Sequence, residues 1–427
     1  MTGLLSTSGS QFRDWSSAYR LFSESRLDPE TLFAGIRSAC REQIPETAPL
    51  CLSVDDSLLP KSGTKIPGVG WRRDPQGPPF QTNLIRAQRV LQFSALVPLE
   101  GAAVRGIPVD FVHAPTPPKP SARASTEQKQ EYQKQAEQCN LATRAIAALK
   151  RIQESFGDRH PIVLSDARFT TKRFLTNLPG NARLIGRIRK DARLFYPALQ
   201  QPARGRRRCY GDPCPTPDQI RQDDERFPWQ TVRIHAAGAD HDCRIKVLDR
   251  VLWAPAGPQR ILRLVIIAPL RYRPRKGACL LYRDPAFLIC TDLSLSPQQM
   301  VQFYFWRWDI EVNFREEKTL LGVGQAQVRN EESCQTLPAF QVATYALLLL
   351  ASTGVNNTDL LPLPKWRAGQ QPERISTQRL IQNLRCDVWG RGLGLTNFSG
   401  FCPESASMQK PEKFTSSVAA AVLYAQN

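Results

Sequence analysis

Four polar side chains in the last third of the chain have types and spacings that suit chemistry on a phosphodiester: Tyr304, Arg307, Glu311 and Lys318. Their separations of three, four and seven residues place them within an arc of roughly 60° on one face of an α-helix. A carboxylate on such a face can bind a metal ion, while a tyrosine and two cations can bind phosphate oxygens. The group therefore predicts a site where a metal ion and a phosphate chain meet.

The residues before this group predict the helix that must position it. Ser296 is a preferred N-cap residue, Pro297 suits the first helical position, and Gln299 completes a capping box. We therefore predict one helix that begins at Pro297, carries all four side chains and ends near Gly322.

Aspartates follow two predicted buried strands. Asp55 and Asp56 come directly after the apolar run Leu50–Val54, and Asp166 follows the run Pro161–Ser165. Hard divalent cations prefer oxygen ligands, and phosphodiester cleavage commonly uses two such ions about 4 Å apart. The candidate metal ligands and catalytic residues are Asp55, Asp166 and Glu311. Each of them alone is more typical of a turn, a helix cap or a solvated helix charge, so the prediction depends on their joint order.

The charge balance indicates the kind of partner. The chain has 57 Lys and Arg residues against 39 Asp and Glu, which gives a net charge of +18 and attracts polyanions. We expect nucleic acid rather than a membrane surface, because no basic amphipathic helix is evident. The basic loop that contains Arg206, Arg207 and Arg208 is a candidate DNA contact, with a solvated basic loop as the alternative.

The cysteines and the apolar segments indicate a cytoplasmic protein. Eleven cysteines occur without a CxxC pair, and the four histidines show no zinc-binding spacing. The N-terminus lacks the apolar core of a signal peptide. The apolar stretch Leu337–Gly354 is short for a membrane span and carries polar residues, so we predict a buried core helix.

Alternating strand-like and helix-like segments predict an α/β fold. Strand-like runs at Arg89–Val97 and Val104–Val112 follow the first strand and predict three consecutive antiparallel strands. The predicted regions are a short N-terminal helical region (1–48), the first part of a catalytic core (49–190), a β-rich insertion (191–286), the second part of the core (287–355), and a C-terminal linker and helical tail (356–427).

The pattern Tyr304-x2-Arg307-x3-Glu311-x6-Lys318 matches in full the Y-x2-R-x3-E-x6-K signature of a large branch of bacterial insertion-sequence transposases. The segments VDDSLLPKSG and VLSDARFTTKRFL, around the two aspartates, also resemble that branch, and the similarity spans roughly residues 50–350. The resemblance implies an RNase H-like mixed sheet flanked by helices, with a DDE triad. It also implies a β-rich insertion between the second Asp and the catalytic Glu.

The resemblance further implies roles for individual residues. Two Mg²⁺ or Mn²⁺ ions would be bound by the three candidate carboxylates, while Tyr304, Arg307 and Lys318 would contact phosphates near the cleaved end. The family pattern of Asp, any residue, then Ser or Thr favours Asp55 as the first ligand, and Asp56 remains the alternate.

The implied activity is cut-and-paste transposition. A homodimer would pair the terminal inverted repeats of a transposon, hydrolyse a strand at each end, and join the freed 3′-hydroxyl to target DNA at the bacterial nucleoid. Two alternatives stay open at this point. One is a metal-dependent nuclease on the same core that joins nothing, and the other is a DNA-binding derivative without catalysis.

Overall fold

The structure, a computed structural model, describes residues 10, 12–63, 65–74, 77–78, 80–99, 103–198, 207–273, 277–354, 374–389 and 421–422. The strands are β1 (Cys51–Pro60), β2 (Gly70–Arg73), β3 (Leu84–Pro98), β4 (Val104–His113), β5 (Ile162–Ser165), β6 (Arg183–Arg187), β7 (Leu194–Phe195), β8 (Gln230–Ala236), β9 (Ala239–Trp253), β10 (Leu262–Ile267), β11 (Leu270–Tyr272), β12 (Leu281–Arg283) and β13 (Ala286–Cys290). The α-helices are α1 (Ser16–Ser23), α2 (Pro29–Gln43), α3 (Thr126–Gln138), α4 (Leu141–Phe156), α5 (Lys172–Asn177), α6 (Pro217–Gln222), α7 (Pro297–Trp306), α8 (Asp309–Thr319), α9 (Glu331–Ala351) and α10 (Thr377–Trp389).

One mixed sheet of eleven strands organises the molecule, in the order β2-β3-β1-β5-β6-β13-β10-β9-β7, with β4 also paired to β3 and β8 to β9. Strands β1, β5 and β6 are parallel, whereas β3 is antiparallel to β1 and β4 to β3. Three antiparallel strands followed by two parallel ones, with helices on the sheet faces, form an RNase H-like arrangement. The predicted fold class is confirmed.

The β-rich segment between Asp166 and Glu311 extends this sheet. Strands β13, β10 and β9 continue it beyond β6 with antiparallel pairing. Only β11 and β12 form a separate two-stranded hairpin. The predicted linker after residue 355 lies outside the described residues up to position 373.

The first strand is longer than its apolar run predicts. It continues through Asp55 and Asp56 to Pro60, so these aspartates lie inside a strand and not after it. The reason is the length of β3, which pairs with β1 from Leu52 as far as Pro60, whereas β5 stops at Ser165. The pairing partner therefore prolongs the strand past the point where its apolar pattern ends.

The single helix predicted from Pro297 to Gly322 is wrong. Its start is correct, because Ser296 forms the full capping box with Gln299. The helix breaks at Arg307 and Trp308. The Arg307 amide is shared between the carbonyls of Phe303 and Tyr304, and the Trp308 amide bonds to the i−3 carbonyl of Phe305. The two halves pack against different strands, since α7 contacts β5, β6 and β8 while α8 contacts β1, β3 and β4. A straight helix does not satisfy both contacts.

Helix α7 is attached to the insertion through two glutamines one turn apart. The side chain of Gln302 accepts a hydrogen bond from the His235 amide (2.7 Å) and donates one to the His235 carbonyl (2.8 Å). Gln298 donates to the carbonyl of Arg233 (2.9 Å). These bonds lie along β8, so the start of the helix is aligned with that strand.

The long apolar helix α9 packs against β4 and α2. By length and composition it is the one helix in the described part of the chain that passes the test for a membrane span, but 56% of its most apolar 18-residue window is buried in the fold. This packing agrees with the predicted core helix.

Candidate active site

Strand register brings the two predicted aspartates together. Val54 on β1 pairs with Ser165 on β5 in parallel, so Asp55 and Asp166, each one residue further on, reach the same level, where β5 ends and β1 continues. Residues paired across strands point to the same side. This side is the one covered by α7, because Cys51 and Leu164, which alternate in phase with the aspartates, share a buried cluster with Met300.

Asp55 and Asp56 have different surroundings. Asp56 is 2% exposed and is held by two arginines: Arg168 Nη1 donates to both of its carboxylate oxygens at 2.8 Å, and Arg89 Nε is 3.4 Å away. Asp55 is paired with Arg307, and both aspartates interact with the charge of Asp166. Asp56 thus holds the loop after β5, and the choice of Asp55 as the ligand stays a prediction.

Arg307 links the strand to the helix. Its Nη2 donates to Glu311 Oε1 at 2.8 Å, and its Nη1 lies 3.7 Å from Asp55 Oδ2. The side chain is 10% exposed, and its Nε and Nη1 have no hydrogen-bond partner among the described residues. Burial alone would lower the pKa of Arg307, but Tyr304, Glu311 and Asp55 raise it. Arg307 is therefore a permanent charge in contact with two candidate ligands.

Burial and the neighbouring charge of Asp166 raise the pKa of Asp55 from 3.8 to about 7. The Arg307 guanidinium and the amide of Asp56, which donates to Asp55 Oδ1 at 2.8 Å, act in the opposite direction. Two carboxylates near each other in a partly buried place are unfavourable without a cation. Perturbed pKa values of this kind are frequent at functional sites.

Asp166 has a structural contact as well. Its Oδ1 accepts a hydrogen bond from the Arg168 amide at 2.8 Å, and its carbonyl accepts one from the Thr170 hydroxyl at 2.7 Å. Asp166 therefore stabilises the turn after β5, as the simpler interpretation of this residue predicts. The same hydrogen bonds orient its carboxylate beside Asp55, so Asp166 can stabilise the turn and also belong to the site.

Tyr304 and Arg307 line a large cleft, whereas Asp55, Asp166 and Glu311 are not among the residues that line it. The cleft encloses about 2050 Å³, and its other walls come from the β8–β9 and β11–β12 hairpins of the insertion. The Arg307 guanidinium lies 5.5 Å from the centre of the Tyr304 ring. Trp308, half exposed, lies 5.4 Å from the guanidinium of Arg283 on β12. Cations and aromatic rings in one cleft suit a nucleic acid strand.

Lys318 lies at the other end of α8 and not in this cleft. Its Nζ donates to the hydroxyl of Ser57 at 2.6 Å, two residues after Asp55 on β1. Burial lowers the pKa of Lys318. A second groove of about 540 Å³ passes this lysine, between residues 60–66 and 323–329. Lys318 and the pair Tyr304 and Arg307 therefore line different cavities.

The donor set fits a divalent cation only in part. Carboxylate oxygens are the ligands that Mg²⁺ prefers, and burial, followed by the charge of Asp166, raises the pKa of Asp55. Nevertheless, no group of three or more His, Cys, Asp or Glu in the described ranges is arranged to hold an ion. Glu311 reaches Asp55 only through Arg307. The two aspartates are the oxygen donors that strand register brings together, whereas Glu311 is paired with Arg307.

The basic loop of the insertion is only partly described. Arg206 lies outside the described residues, while Arg207 and Arg208 are exposed. Neither of these two residues lines the cleft. Their role as DNA contacts stays a prediction.

The structure also shows residues that hold α8, which the sequence patterns did not identify. Asp309 accepts a 2.7 Å hydrogen bond from the Gly106 amide of β4 and 2.6 and 2.8 Å bonds from Arg374 Nη1. Asn313, one turn later, donates to the Ser94 hydroxyl and to the Gly106 carbonyl, each at 3.0 Å. The inner face of α8 is thus fixed by polar contacts, and no amphipathic pattern could have revealed it.

Comparison with known proteins agrees with this geometry. Residues 3–241 match the family described as DDE superfamily endonuclease. The match includes Asp55 and Asp166 and ends before the segment from Tyr304 to Lys318. No curated protein matches the chain. Because the match covers more than half of the 427 residues, the chain belongs to the DDE superfamily endonuclease family, whose enzymes are of the nuclease and transposase type.

Proposed function

We propose that this protein is a DNA transposase of the insertion-sequence branch with the Y-x2-R-x3-E-x6-K signature, which cuts transposon ends and joins them to target DNA. The observation that carries the proposal is the register of β1 and β5, which places Asp55 beside Asp166 where β5 ends. Arg307 connects this pair to Glu311. Two aspartates side by side, an arginine that reaches both Asp55 and Glu311, and the cleft that this arginine lines support the proposal.

Asp55, Asp166 and Glu311 would hold two Mg²⁺ or Mn²⁺ ions, which supply an activated water or hydroxyl and stabilise the leaving oxygen of an in-line displacement. Arg307 would exchange its contact with Glu311 for a phosphate oxygen when DNA enters. A guanidinium binds phosphate with a bidentate fork, so the incoming strand offers it an equivalent partner. The movement would free Glu311 to approach Asp55.

The cleft supports DNA as the ligand. Tyr304 and Trp308 offer ring surfaces, and the cations Arg271, Arg283 and Arg307 line the same walls. Backbone phosphates bind such cations with little dependence on sequence, while rings stack on exposed bases. The terminal repeats as the bound sequence, and a homodimer that pairs two ends, remain part of the proposal.

A strand-transfer assay tests the proposal. The full chain would be incubated with Mg²⁺ or Mn²⁺, a plasmid target and a labelled duplex that ends in a free 3′-hydroxyl, taken from the DNA flanking the gene. Labelled product joined to the plasmid supports a transposase. Cleavage of an uncut duplex without joining would instead identify a nuclease on the same core, and binding without either reaction a derivative that has lost catalysis. Asp166→Ala is the control, since it should remove both cleavage and joining.

A further inference from the structure

We propose that Arg187 is a further phosphate-binding residue, which holds the DNA backbone on the Asp166 side of the site, opposite Arg307. The ligand is a phosphodiester group of the bound strand. This inference rests on the proposed function, because it assigns one more contact to the same DNA.

Strand register gives the position of Arg187. Ser165 at the end of β5 pairs with Gly186 on β6, so the next residues, Asp166 and Arg187, stand side by side. Asp55 occupies the same level on the other side of Asp166. The neighbouring strands β1, β5 and β6 therefore bring two acids and one arginine to the same level.

The arginine also faces the correct side of the sheet. Ile185, two residues earlier on β6, belongs to the buried cluster that includes Met300 and Phe303 of α7. Alternation along a strand then places Arg187 on the α7 side, as it does Asp55 and Asp166. Arg187 lines the same cleft as Tyr304 and Arg307.

Gly186 allows β6 to lie close to the turn that carries Asp166. A Cβ at this position would lie 2.3 Å from Thr170 Oγ1 and 3.1 Å from Ser165 Oγ. The Thr170 hydroxyl donates to the Asp166 carbonyl at 2.7 Å, so β6 passes directly against the turn that carries Asp166. Only glycine permits that approach without a shift of the turn.

The guanidinium of Arg187 is available for a ligand. Its one hydrogen bond among the described residues is a long contact of 3.5 Å from Nη2 to the Pro285 carbonyl. No carboxylate of the described chain forms an ion pair with it, whereas Arg168, Arg307 and Arg374 are paired with Asp56, Glu311 and Asp309. A cation in a cleft without a carboxylate partner has the highest gain from binding phosphate.

The test uses the full chain and two glutamine variants. Arg187→Gln removes the proposed contact, while Arg183→Gln is the matched control, because Arg183 lies on the same strand and face but at the opposite end. Binding of duplex DNA is measured in metal-free buffer over a range of salt concentrations. We expect Arg187→Gln to weaken binding about tenfold and to reduce the slope of log K against log salt by about 0.9, the value for one lost phosphate contact. The control should change neither quantity.

A second measurement identifies the phosphate. Duplexes with a single neutral methylphosphonate at successive positions around the cleaved bond are bound to the parent and to each variant. One position should weaken binding by the parent and the control but have no effect on Arg187→Gln. Arg187→Lys keeps the charge and serves as the second variant if Arg187→Gln is unstable. Its DNA binding should show the same salt slope as that of the parent.

Equal affinities, slopes and methylphosphonate profiles for Arg187→Gln and Arg183→Gln would overturn the inference. The proposed function is judged separately, by whether the parent protein cuts and joins DNA.

Discussion

Arg307 Nη2 donates a 2.8 Å hydrogen bond to Oε1 of Glu311, one helical turn further along the chain. Its other terminal nitrogen is 3.7 Å from Asp55, so a single guanidinium neutralises two of the three candidate ligands. The arrangement is suited to exchange, because a divalent ion and a phosphate together can replace what the arginine provides.

Glu311→Gln should abolish cleavage and joining while DNA affinity stays within about twofold, because the variant removes an oxygen ligand but no phosphate contact. Arg307→Gln should lower DNA affinity about tenfold, since it removes a fork that binds phosphate. Gel-shift and cleavage assays on the same preparations measure both quantities. Glu331→Gln at the exposed start of α9 is the control and should change neither. If Glu311→Gln and Arg307→Gln behave alike, the division of roles is wrong.

Asp55→Asn and Asp56→Asn should differ although the residues are adjacent. Asp55→Asn should remove activity without loss of stability. Asp56→Asn should lower the free energy of unfolding by about 2 kcal/mol, because it takes the carboxylate from Arg168 and Arg89. Urea unfolding followed by circular dichroism measures the second effect. A stable Asp56→Asn protein that cannot cut DNA would instead make Asp56 the ligand.

The contribution of Asp55 to the stability of the metal-free protein should fall as the pH rises from about 4 to 7. The pKa of Asp55 is 3.8 ordinarily and about 7 in the fold, so between these values the folded protein binds a proton that the unfolded chain has lost. Asp55→Asn removes this term and should be more stable than the parent above pH 7, by up to about 4 kcal/mol. Burial also raises the pKa of Glu317 to about 8. This residue therefore lowers stability with rising pH in the parent and in Asp55→Asn alike. Thermal unfolding in EDTA from pH 4 to 8 measures the difference, and parallel curves for the two proteins would contradict the prediction.

Lys318→Gln should weaken DNA binding and reduce its salt slope by about 0.9, as expected for one phosphate contact. Ser57→Ala removes the acceptor of the 2.6 Å bond from Lys318 but keeps the lysine. We expect the serine variant to lose about 1 kcal/mol of stability with an unchanged salt slope. A reduced slope in Ser57→Ala would mean that the hydrogen bond itself positions Lys318 for DNA.

Asp309→Asn and Arg374→Gln should each destabilise the protein, and their effects should not add. The pair is mostly buried, with side chains 15% and 30% exposed, and residues in direct contact show coupling energies of about 1–3 kcal/mol. A double-mutant cycle by chemical denaturation measures the coupling. Additive effects would show that Asp309 stabilises the protein through its hydrogen bond from the Gly106 amide and not through its ion pair with Arg374.

Local chemistry and strand order made part of this structure predictable. The capping box at Ser296 depends on four neighbouring residues, and the apolar runs before Asp55 and Asp166 predicted two strands whose parallel pairing brings both acids to one level. The resemblance in the Tyr304–Lys318 segment added Glu311. These features need no knowledge of the rest of the chain.

Other features depend on distant contacts. The break at Arg307 arises because α7 and α8 pack on different strands, and the extension of β1 to Pro60 arises because β3 continues beside it. Arg374 reaches Asp309 across 65 positions of sequence. Arg187 stands in a run of basic residues, and only the strand register distinguishes it from its neighbours.

The two glutamines of α7 have a consequence for solubility. An outer strand with unpaired amides and carbonyls is a template for a second chain and for aggregation. Gln302 saturates the amide and the carbonyl of His235 as a neighbouring strand would, and Gln298 saturates the carbonyl of Arg233. Helix α7, which carries Tyr304, thus also covers the exposed edge of β8. A substitution that displaced this helix would impair the site and expose an edge strand prone to self-association.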